Sequence, residues 1–260
     1  MSTADSSQVE SVIYPESDGM PMGETDLHIH WIIRLRDILK CRYRETQTYV
    51  ASNLLVYYDE GVPRHFVVPD VFVVLDCDPS FRRVYKTWEE PKPPQVVFEI
   101  TSASTRRDDE VRKPEKYENI GVLEYFLYDP TSEYLSPALR GFRRGPQGFQ
   151  PIEMDSSARL SSEILGVTLE LDGGELVLRD SENESVLLTH EELAEQQARN
   201  AERKAHDAER KAHDAERKAH DAERKANDAE RKALDATHEA HVAKERNEAL
   251  EAELRRLRER

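Results

Sequence analysis

Residues 95–128 read QVVFEITSASTRRDDEVRKPEKYENIGVLEYFLY, and this stretch decides the fold. The apolar run Val96-Val97-Phe98 is followed by a single acidic residue, Glu99. A charged segment with helical composition then runs to Gly121, and a second β-branched and aromatic run ends at Tyr128. A strand buried on both faces, a helix and another apolar strand are typical of an α/β layer.

The segment before this unit predicts one helix and two strands. From Thr25 to about Glu45, apolar residues recur at helical spacing, and Thr25 or Asp26 is placed to cap the helix start. These predicted core residues are Leu27, Trp31, Leu35, Ile38 and Leu39. Residues 49–58 and 65–75 are rich in β-branched and aromatic residues and flank a turn, which predicts a hairpin.

After Tyr128 the sequence predicts further short strands. They lie between Gly141 and Asp180, with Asp172-Gly173-Gly174 as a hairpin turn. The order helix, three strands, helix, strand predicts an α/β fold with a mixed central sheet and extra β-hairpins. We expect a loose lead-in over residues 1–23, a globular domain over 24–185 and a helical tail over 189–260.

The tail repeats one heptad, Ala-Glu-Arg-Lys-Ala-His-Asp, five times from Ala201 with few changes. Alanines occupy the a and d positions through five heptads, and the same register continues through Asn247, Leu250, Leu254 and Leu257. Lys204 at g and Glu209 at the following e have opposite charges, as parallel dimers favour. Alanine buries little area, so the alternative is a single helix exposed to water.

The 260 residues carry a formal net charge of −15, and the charge is unevenly distributed. Residues 198–260 are almost neutral, whereas the first 197 residues hold 20 basic and 36 acidic side chains. An acidic body argues against non-specific coating of nucleic acid. Two cysteines without metal-ligand spacing, no secretory signal pattern and no apolar run long enough for a membrane span predict a cytoplasmic protein with no membrane partner.

Two acidic residues lie at opposite ends of two neighbouring predicted strands, one at a strand start and the other near a strand end. Asp70 follows Pro69 at a strand start, and Glu99 lies near the end of the next long strand. If these strands pair antiparallel, both carboxylates can reach one cation, because adjacent strands lie about 4.8 Å apart. Carboxylates with open positions for water and phosphate suit Mg²⁺, or Mn²⁺ in its place.

A basic residue and a tyrosine lie one helical turn apart on the following helix. Lys113 and Tyr117 would then project to the same side. An ammonium group in that position can hold a phosphate oxygen or orient an attacking water.

Each of these residues also has a structural interpretation without chemistry. A Pro-Asp pair before a strand commonly marks a turn, and Lys113 with Tyr117 alone is typical of a solvated helix face. Glu99 in an apolar strand needs a partner, since burying an unpaired carboxylate is costly, and Arg106 or Arg107 is a candidate. His28 and His30 in the first helix are interpreted as structural.

Taken together and in order, these landmarks resemble the Uma-two family of endonucleases in the PD-(D/E)xK superfamily. The resemblance covers residues 20–180 and rests on Val68–Val71, Phe98–Ser102, Ser104–Asp109, Lys113, Tyr117, Gly121–Phe126 and Asp129-Pro130.

This resemblance implies a restriction-endonuclease-like αβββαβ core and divalent-metal hydrolysis of phosphodiester bonds. It implies metal ligands at Asp70 and Glu99, with Lys113 completing the catalytic set. The superfamily motif has lysine two residues after the glutamate, where this chain has Thr101, so Lys113 on the helix takes that place. Asp109 matches an acidic position of the family without an assigned role.

The sequence therefore predicts a Mg²⁺-dependent endonuclease acting on DNA, dimerised through residues 189–260. The alternative is an inactive nuclease-fold scaffold or adaptor whose main role is coiled-coil oligomerisation. The acidic body and the long tail favour the scaffold, whereas the intact set Asp70, Glu99 and Lys113 favours the enzyme.

Overall fold

A computed structural model describes residues 12–17 and 25–258, except for the side chains of residues 253 and 256–258. The predicted lead-in therefore lies mostly outside the described residues, and so does the Leu257 side chain. The chain divides into two compact units, Met1–Ala194 and Glu195–Arg260. Within the described ranges, no helix combines the length and the apolar character needed to cross a bilayer.

The elements follow one another in an order close to the predicted one. They are α1 Asp26–Arg42, β1 Thr48–Ser52, β2 Val56–Tyr57, β3 Phe66–Val67, β4 Val71–Leu75, β5 Tyr85–Lys86, β6 Val96–Ile100, α2 Lys113–Ile120, β7 Glu124–Tyr128, β8 Leu139–Gly145, β9 Gly148–Pro151, β10 Leu160–Ser162, β11 Val167–Asp172, β12 Glu175–Asp180 and α3 His190–Arg258.

The main sheet has six strands in the order β1-β4-β6-β7-β8-β9. Strands β6 and β7 are parallel and joined through α2, while the other neighbours pair antiparallel. The series α1, β1, β4, β6, α2, β7 is the predicted αβββαβ core, so the fold class is confirmed. The added hairpins are β8–β9 and β11–β12, the latter turning at Gly173 and Gly174 as predicted.

Helix α1 buries one face against the sheet, with Trp31, Leu35 and Leu39 almost fully inaccessible to solvent. Thr25 caps the helix through its hydroxyl, which accepts a hydrogen bond from the His28 N–H at 3.3 Å. The prediction that Leu27 belongs to the core is wrong, because its side chain is 42% exposed. The buried position in that first turn is His28 instead.

The two predicted strands of residues 49–58 and 65–75 are each interrupted. Strand β1 pairs with β4, as expected for a hairpin, with Val50 opposite Val73. The inner segments β2 and β3 leave this sheet and form a separate three-stranded sheet with β5. Asn53 marks the break with a positive φ of 48°, a left-handed backbone that asparagine tolerates better than most residues.

The two faces of the main sheet carry separate apolar cores. On the α1 face, Phe98 and Phe126 stack at 5.1 Å between centroids, and Leu169 and Leu178 of the β10–β12 sheet join the same cluster. On the α2 face, Val97 packs with Tyr125 and other buried residues. Side chains alternate along β6, so Glu99 lies on the same face as Val97, toward α2.

Helix α2 begins later than the predicted helix over residues 104–119. A π-helical turn over Asp108–Arg112 precedes it, and the Lys113 N–H donates to the Asp108 carbonyl. Gly121 ends α2 in the left-handed conformation with φ of 102°, as its sequence position predicts.

The long helix α3 starts with a capping box formed by Thr189 and Glu192. The Glu192 N–H donates to the Thr189 hydroxyl at 3.2 Å, and the Thr189 N–H donates to the Glu192 carboxylate at 2.9 Å. Through the second unit the side chains of the single chain are exposed, including Leu250 and Leu254. The helix is confirmed, and its pairing with a second copy remains a prediction.

We expect Leu39→Ala to lower the free energy of unfolding by about 2–5 kcal/mol, because it leaves a cavity in the core beneath α1. The matched control is Leu27→Ala on the same helix, which removes the same atoms from an exposed position and should change stability by about 0.5 kcal/mol or less. Urea denaturation followed by circular dichroism measures both. Equal losses in the two variants would contradict the packing described for α1.

Candidate metal and active site

Strand pairing sets Asp70 opposite Glu99. Strands β4 and β6 pair antiparallel with Val71 opposite Phe98, so the next position in the register aligns Asp70 with Glu99. The Asp70 Oδ2 atom accepts a hydrogen bond from the Ile100 N–H at 2.7 Å, and this bond ties the carboxylate to the end of β6. The two acidic residues therefore lie side by side on the α2 face, as the sequence predicts.

Glu99 is fully buried, with 0% of its side chain exposed. Its Oε2 atom is 2.7 Å from the Lys113 ammonium nitrogen, and its Oε1 atom accepts a hydrogen bond from the Tyr117 hydroxyl. Both carboxylate oxygens are thus held by one helix. The prediction that Arg106 or Arg107 would satisfy Glu99 is wrong, because Lys113 and Tyr117 do so and Arg106 pairs with Glu110 at 2.9 Å.

Three polar side chains from the π-helical turn and α2 converge here at intervals of four residues. Asp109, Lys113 and Tyr117 project to the same side. The Asp109 Oδ1 atom is 2.9 Å from the Lys113 ammonium nitrogen. Pro114, which has no N–H to donate, stands at the start of α2, and the wider turn before it carries Asp109. Single π-helical turns are frequent at functional sites.

The cluster contains more acidic than basic side chains. Burial raises the pKa of Glu99 well above its usual range, and the negative charges of Asp70 and Asp109 act in the same direction against the attraction of Lys113. Burial also raises the pKa of Asp109, again against Lys113. Burial alone would lower the pKa of Lys113, but the neighbouring carboxylates outweigh it and the pKa is raised. One ammonium therefore faces three carboxylates.

The site lies close to solvent on one side. The Lys113 side chain is 19% exposed and the Asp70 side chain is 10% exposed, whereas Glu99 and Asp109 are fully buried. A small ligand or one oxygen of a phosphate would therefore meet Lys113 and Asp70 first.

The two first-helix histidines differ in position. His28 is buried, and its Nε2 atom is 3.5 Å from the Asp70 Oδ2 atom, whereas His30 is exposed and lies edge-on to Trp31 at 5.6 Å. Thr101, at the place where the superfamily motif has lysine, is buried beside β6.

Sequence reasoning left two members of the cluster without a role. Asp109 supports Lys113, and Tyr117 fixes Glu99, so both position the predicted catalytic residues. The spacing of four residues pointed to Tyr117, and the same spacing on the other side of Lys113 is the signal that could have found Asp109. Which carboxylate each would contact depends on strand register, which the spacing does not specify.

Removing the ammonium should destabilise the fold. We expect Lys113→Met to lower the free energy of unfolding by about 3–5 kcal/mol, since it leaves Glu99 and Asp109 buried without a counter-charge. A carboxyl group whose pKa is raised in the folded state lowers stability once the pH exceeds its pKa in the unfolded state. The decrease in unfolding free energy caused by Lys113→Met should therefore be larger at about pH 8 than at about pH 5.

The matched control is Lys116→Met, an exposed lysine on the same helix. Urea denaturation without divalent ions at the two pH values measures both variants. Equal stability of the Lys113 and Lys116 variants would show that Lys113 is not a buried counter-ion.

Comparison with known proteins identifies the family of this chain. The sequence model of the Uma2 (Uma-two) family, described as "Putative restriction endonuclease", matches residues 18–172. No curated protein matches. Among solved structures, a "putative nuclease belonging to DUF820" from Anabaena variabilis is similar, with 13% identity, 56% of this chain and 76% of that chain covered, and a TM-score of 0.40. Because the family match spans more than half of the chain, the protein belongs to the Uma2 family of nuclease-like proteins.

Proposed function

We propose that the protein is a divalent-metal-dependent endonuclease that hydrolyses phosphodiester bonds of DNA. Membership of a family described as restriction endonucleases supports this class of reaction. The observation that carries the proposal is the charge imbalance around Lys113, where three buried or nearly buried carboxylates surround one ammonium. Buried charge of one sign is costly unless it is compensated, so the cluster favours a bound cation.

The donor set fits Mg²⁺ or Mn²⁺. Asp70 and Glu99 supply hard carboxylate oxygens from adjacent strands, and Mg²⁺ in proteins is commonly bound through one or two carboxylates together with water and phosphate oxygens. No set of three or more His, Cys, Asp and Glu side chains within residues 12–17 and 25–258 is arranged to hold a metal ion. When bound, such an ion would lower the pKa of water and offset negative charge on the phosphate.

The protein's own residues orient the site before substrate arrives. Tyr117 holds one oxygen of Glu99, and the Ile100 N–H holds one oxygen of Asp70, so both carboxylates are oriented before a ligand binds. Lys113 is the partly exposed cation of the site and is the residue best placed to contact a phosphate oxygen or orient the attacking water. Glu99 and Asp109 both pair with the lysine and keep it charged.

The tail supplies the proposed dimer. Its a and d positions form one continuous seam, weak over the alanines and stronger at Leu250 and Leu254. A dimer carries two sites, which suits cutting of both strands of a duplex.

The alternative function is an inactive scaffold. It is favoured by the closed network around Glu99, in which both oxygens already have partners, and by the acidic charge of the first 197 residues. The two functions differ in whether the cluster binds a divalent ion and supports cleavage.

We expect the protein to nick supercoiled plasmid DNA with Mg²⁺ or Mn²⁺. Asp70→Asn and Glu99→Gln should each lower the nicking rate about 10²-fold or more, since each removes the negative charge of a proposed metal ligand. Asp172→Asn and Glu115→Gln are matched controls at exposed positions and should keep wild-type activity. An RNA substrate tested in parallel decides between the two nucleic acids. No cleavage of either, together with no binding of Mn²⁺ in calorimetry, would leave the scaffold.

The dimer is tested by sedimentation equilibrium of the full chain. We expect the double variant Leu250→Glu, Leu254→Glu to weaken dimerisation by about 100-fold, because it places charge in the leucine part of the seam. The matched control is Leu234→Glu, Val242→Glu, which makes the same kind of change at exposed b and c positions. A monomeric wild type, or equal dissociation of both double variants, would contradict a dimer formed along this seam.

A further inference from the structure

A cavity lies next to the acidic cluster, and the chemistry proposed above does not use it. It has a volume of about 240 Å³ and sits between α2 and the β8–β9 hairpin, on the α2 face of the sheet. Aromatic rings and acidic side chains form most of its lining. Ligand pockets for drug-sized molecules span roughly 300–1,000 Å³, so this space suits a single planar ring system.

The apolar walls are three aromatic rings. Tyr125 is central, with its ring 6.1 Å from Phe142 at an interplanar angle of 27° and 5.9 Å from Phe149. Tyr125 is fully buried, while Phe142 and Phe149 are half-buried and therefore present part of their surface to the cavity. Phe142 and Phe149 therefore offer stacking surface to another planar group, while Tyr125 supports them from beneath.

Most polar groups of the cavity lining are already engaged. Glu110 pairs with Arg140 through Oε1 and with Arg106 through Oε2, each at 2.9 Å, and Asp109 is fully buried. Glu118 accepts a hydrogen bond from the Phe149 N–H through Oε1. Its second oxygen, Oε2, is the acceptor that the lining offers to an N–H group of a ligand.

One residue joins the cavity to the proposed active site. Asp109 lines the cavity, and its carboxylate is 2.9 Å from the Lys113 ammonium nitrogen. The Tyr125 hydroxyl also donates to the Asp109 backbone carbonyl at 2.7 Å. A ring in the cavity would thus lie one side chain away from the lysine that is proposed to contact phosphate.

We propose that this cavity receives one nucleobase of the strand bound at the active site and prefers a base with an exocyclic amino group (cytosine, adenine or guanine) over thymine. This inference rests on the proposed nuclease function. Phe142 and Phe149 supply stacking, and the Glu118 carboxylate accepts from the amino group, as glutamate does from cytosine N4. Thymine, which has no amino group, gains only the stacking.

The first test changes the ligand and leaves the protein intact. The full chain in EDTA is titrated into fluorescein-labelled nine-nucleotide single strands, and anisotropy gives the dissociation constant. One strand is all thymine, the second carries a single central cytosine, and the third is entirely abasic. We expect the cytosine strand to bind about tenfold more tightly than the thymine strand, and the abasic strand to bind most weakly. Equal dissociation constants for the three strands would overturn the proposal.

The second test changes the wall of the cavity. Phe149→Leu keeps apolar volume but removes the ring, and should reduce the difference between the cytosine and abasic strands to about twofold or less. Phe81→Leu makes the same change at a residue that is 96% exposed and lies outside the cavity, so it should preserve the difference. A Phe149 variant that keeps both its folded spectrum and the full base preference would also overturn the proposal.

These outcomes are separable from those of the nuclease assay. Cleavage of plasmid without any base dependence of binding would remove the nucleobase pocket and leave the nuclease. Base-dependent binding without cleavage under any metal condition would support the pocket and count against the hydrolytic activity.

Discussion

The antiparallel pairing of β4 with β6 is the constraint on which the site depends. It aligns Asp70 with Glu99, and the hydrogen bond from the Ile100 N–H to Asp70 fixes this alignment at the end of the pairing. A slip of one residue would turn either carboxylate to the α1 face, into an apolar core and away from Lys113. Val97 and Glu99 face α2, whereas Val96 and Phe98 face α1. A change of register would therefore disrupt both the apolar cores and the site.

Burial then gives the cluster its properties. Placing Glu99 and Asp109 in the interior is tolerated because α2 supplies Lys113 and Tyr117 at the matching spacing. The single ammonium compensates part of the negative charge, and the proposed divalent cation would compensate the remainder. The same packing explains why the cavity beside Asp109 is walled by aromatic rings, since the sheet face under α2 is built from buried tyrosine and phenylalanine.

The sequence predicted the order of elements and the acidic pair, because strand and helix periodicities are local and the Pro-Asp and apolar-Glu landmarks are distinctive. It did not predict that residues 56–57 and 66–67 leave the main sheet, since the break depends on the left-handed turn at Asn53 and on pairing with the distant β5. The exposure of Leu27 also escaped prediction, because helical spacing alone does not say where the sheet ends beneath the first turn of α1. The contact of Asp109 with Lys113 has ordinary helical spacing, but the full burial of Asp109 depends on how this segment packs against the sheet, which composition does not reveal.

The most direct test of the central claim is a crystal structure of the full chain soaked in Mn²⁺, with anomalous scattering used to locate the ion. We expect one anomalous peak bound by carboxylate oxygens of both Asp70 and Glu99, on the side of the cluster that faces Lys113. A crystal that shows no peak there at saturating Mn²⁺, or a peak bound by Glu99 alone with Asp70 turned away, would contradict the claim that the two strands were paired to hold a shared ion.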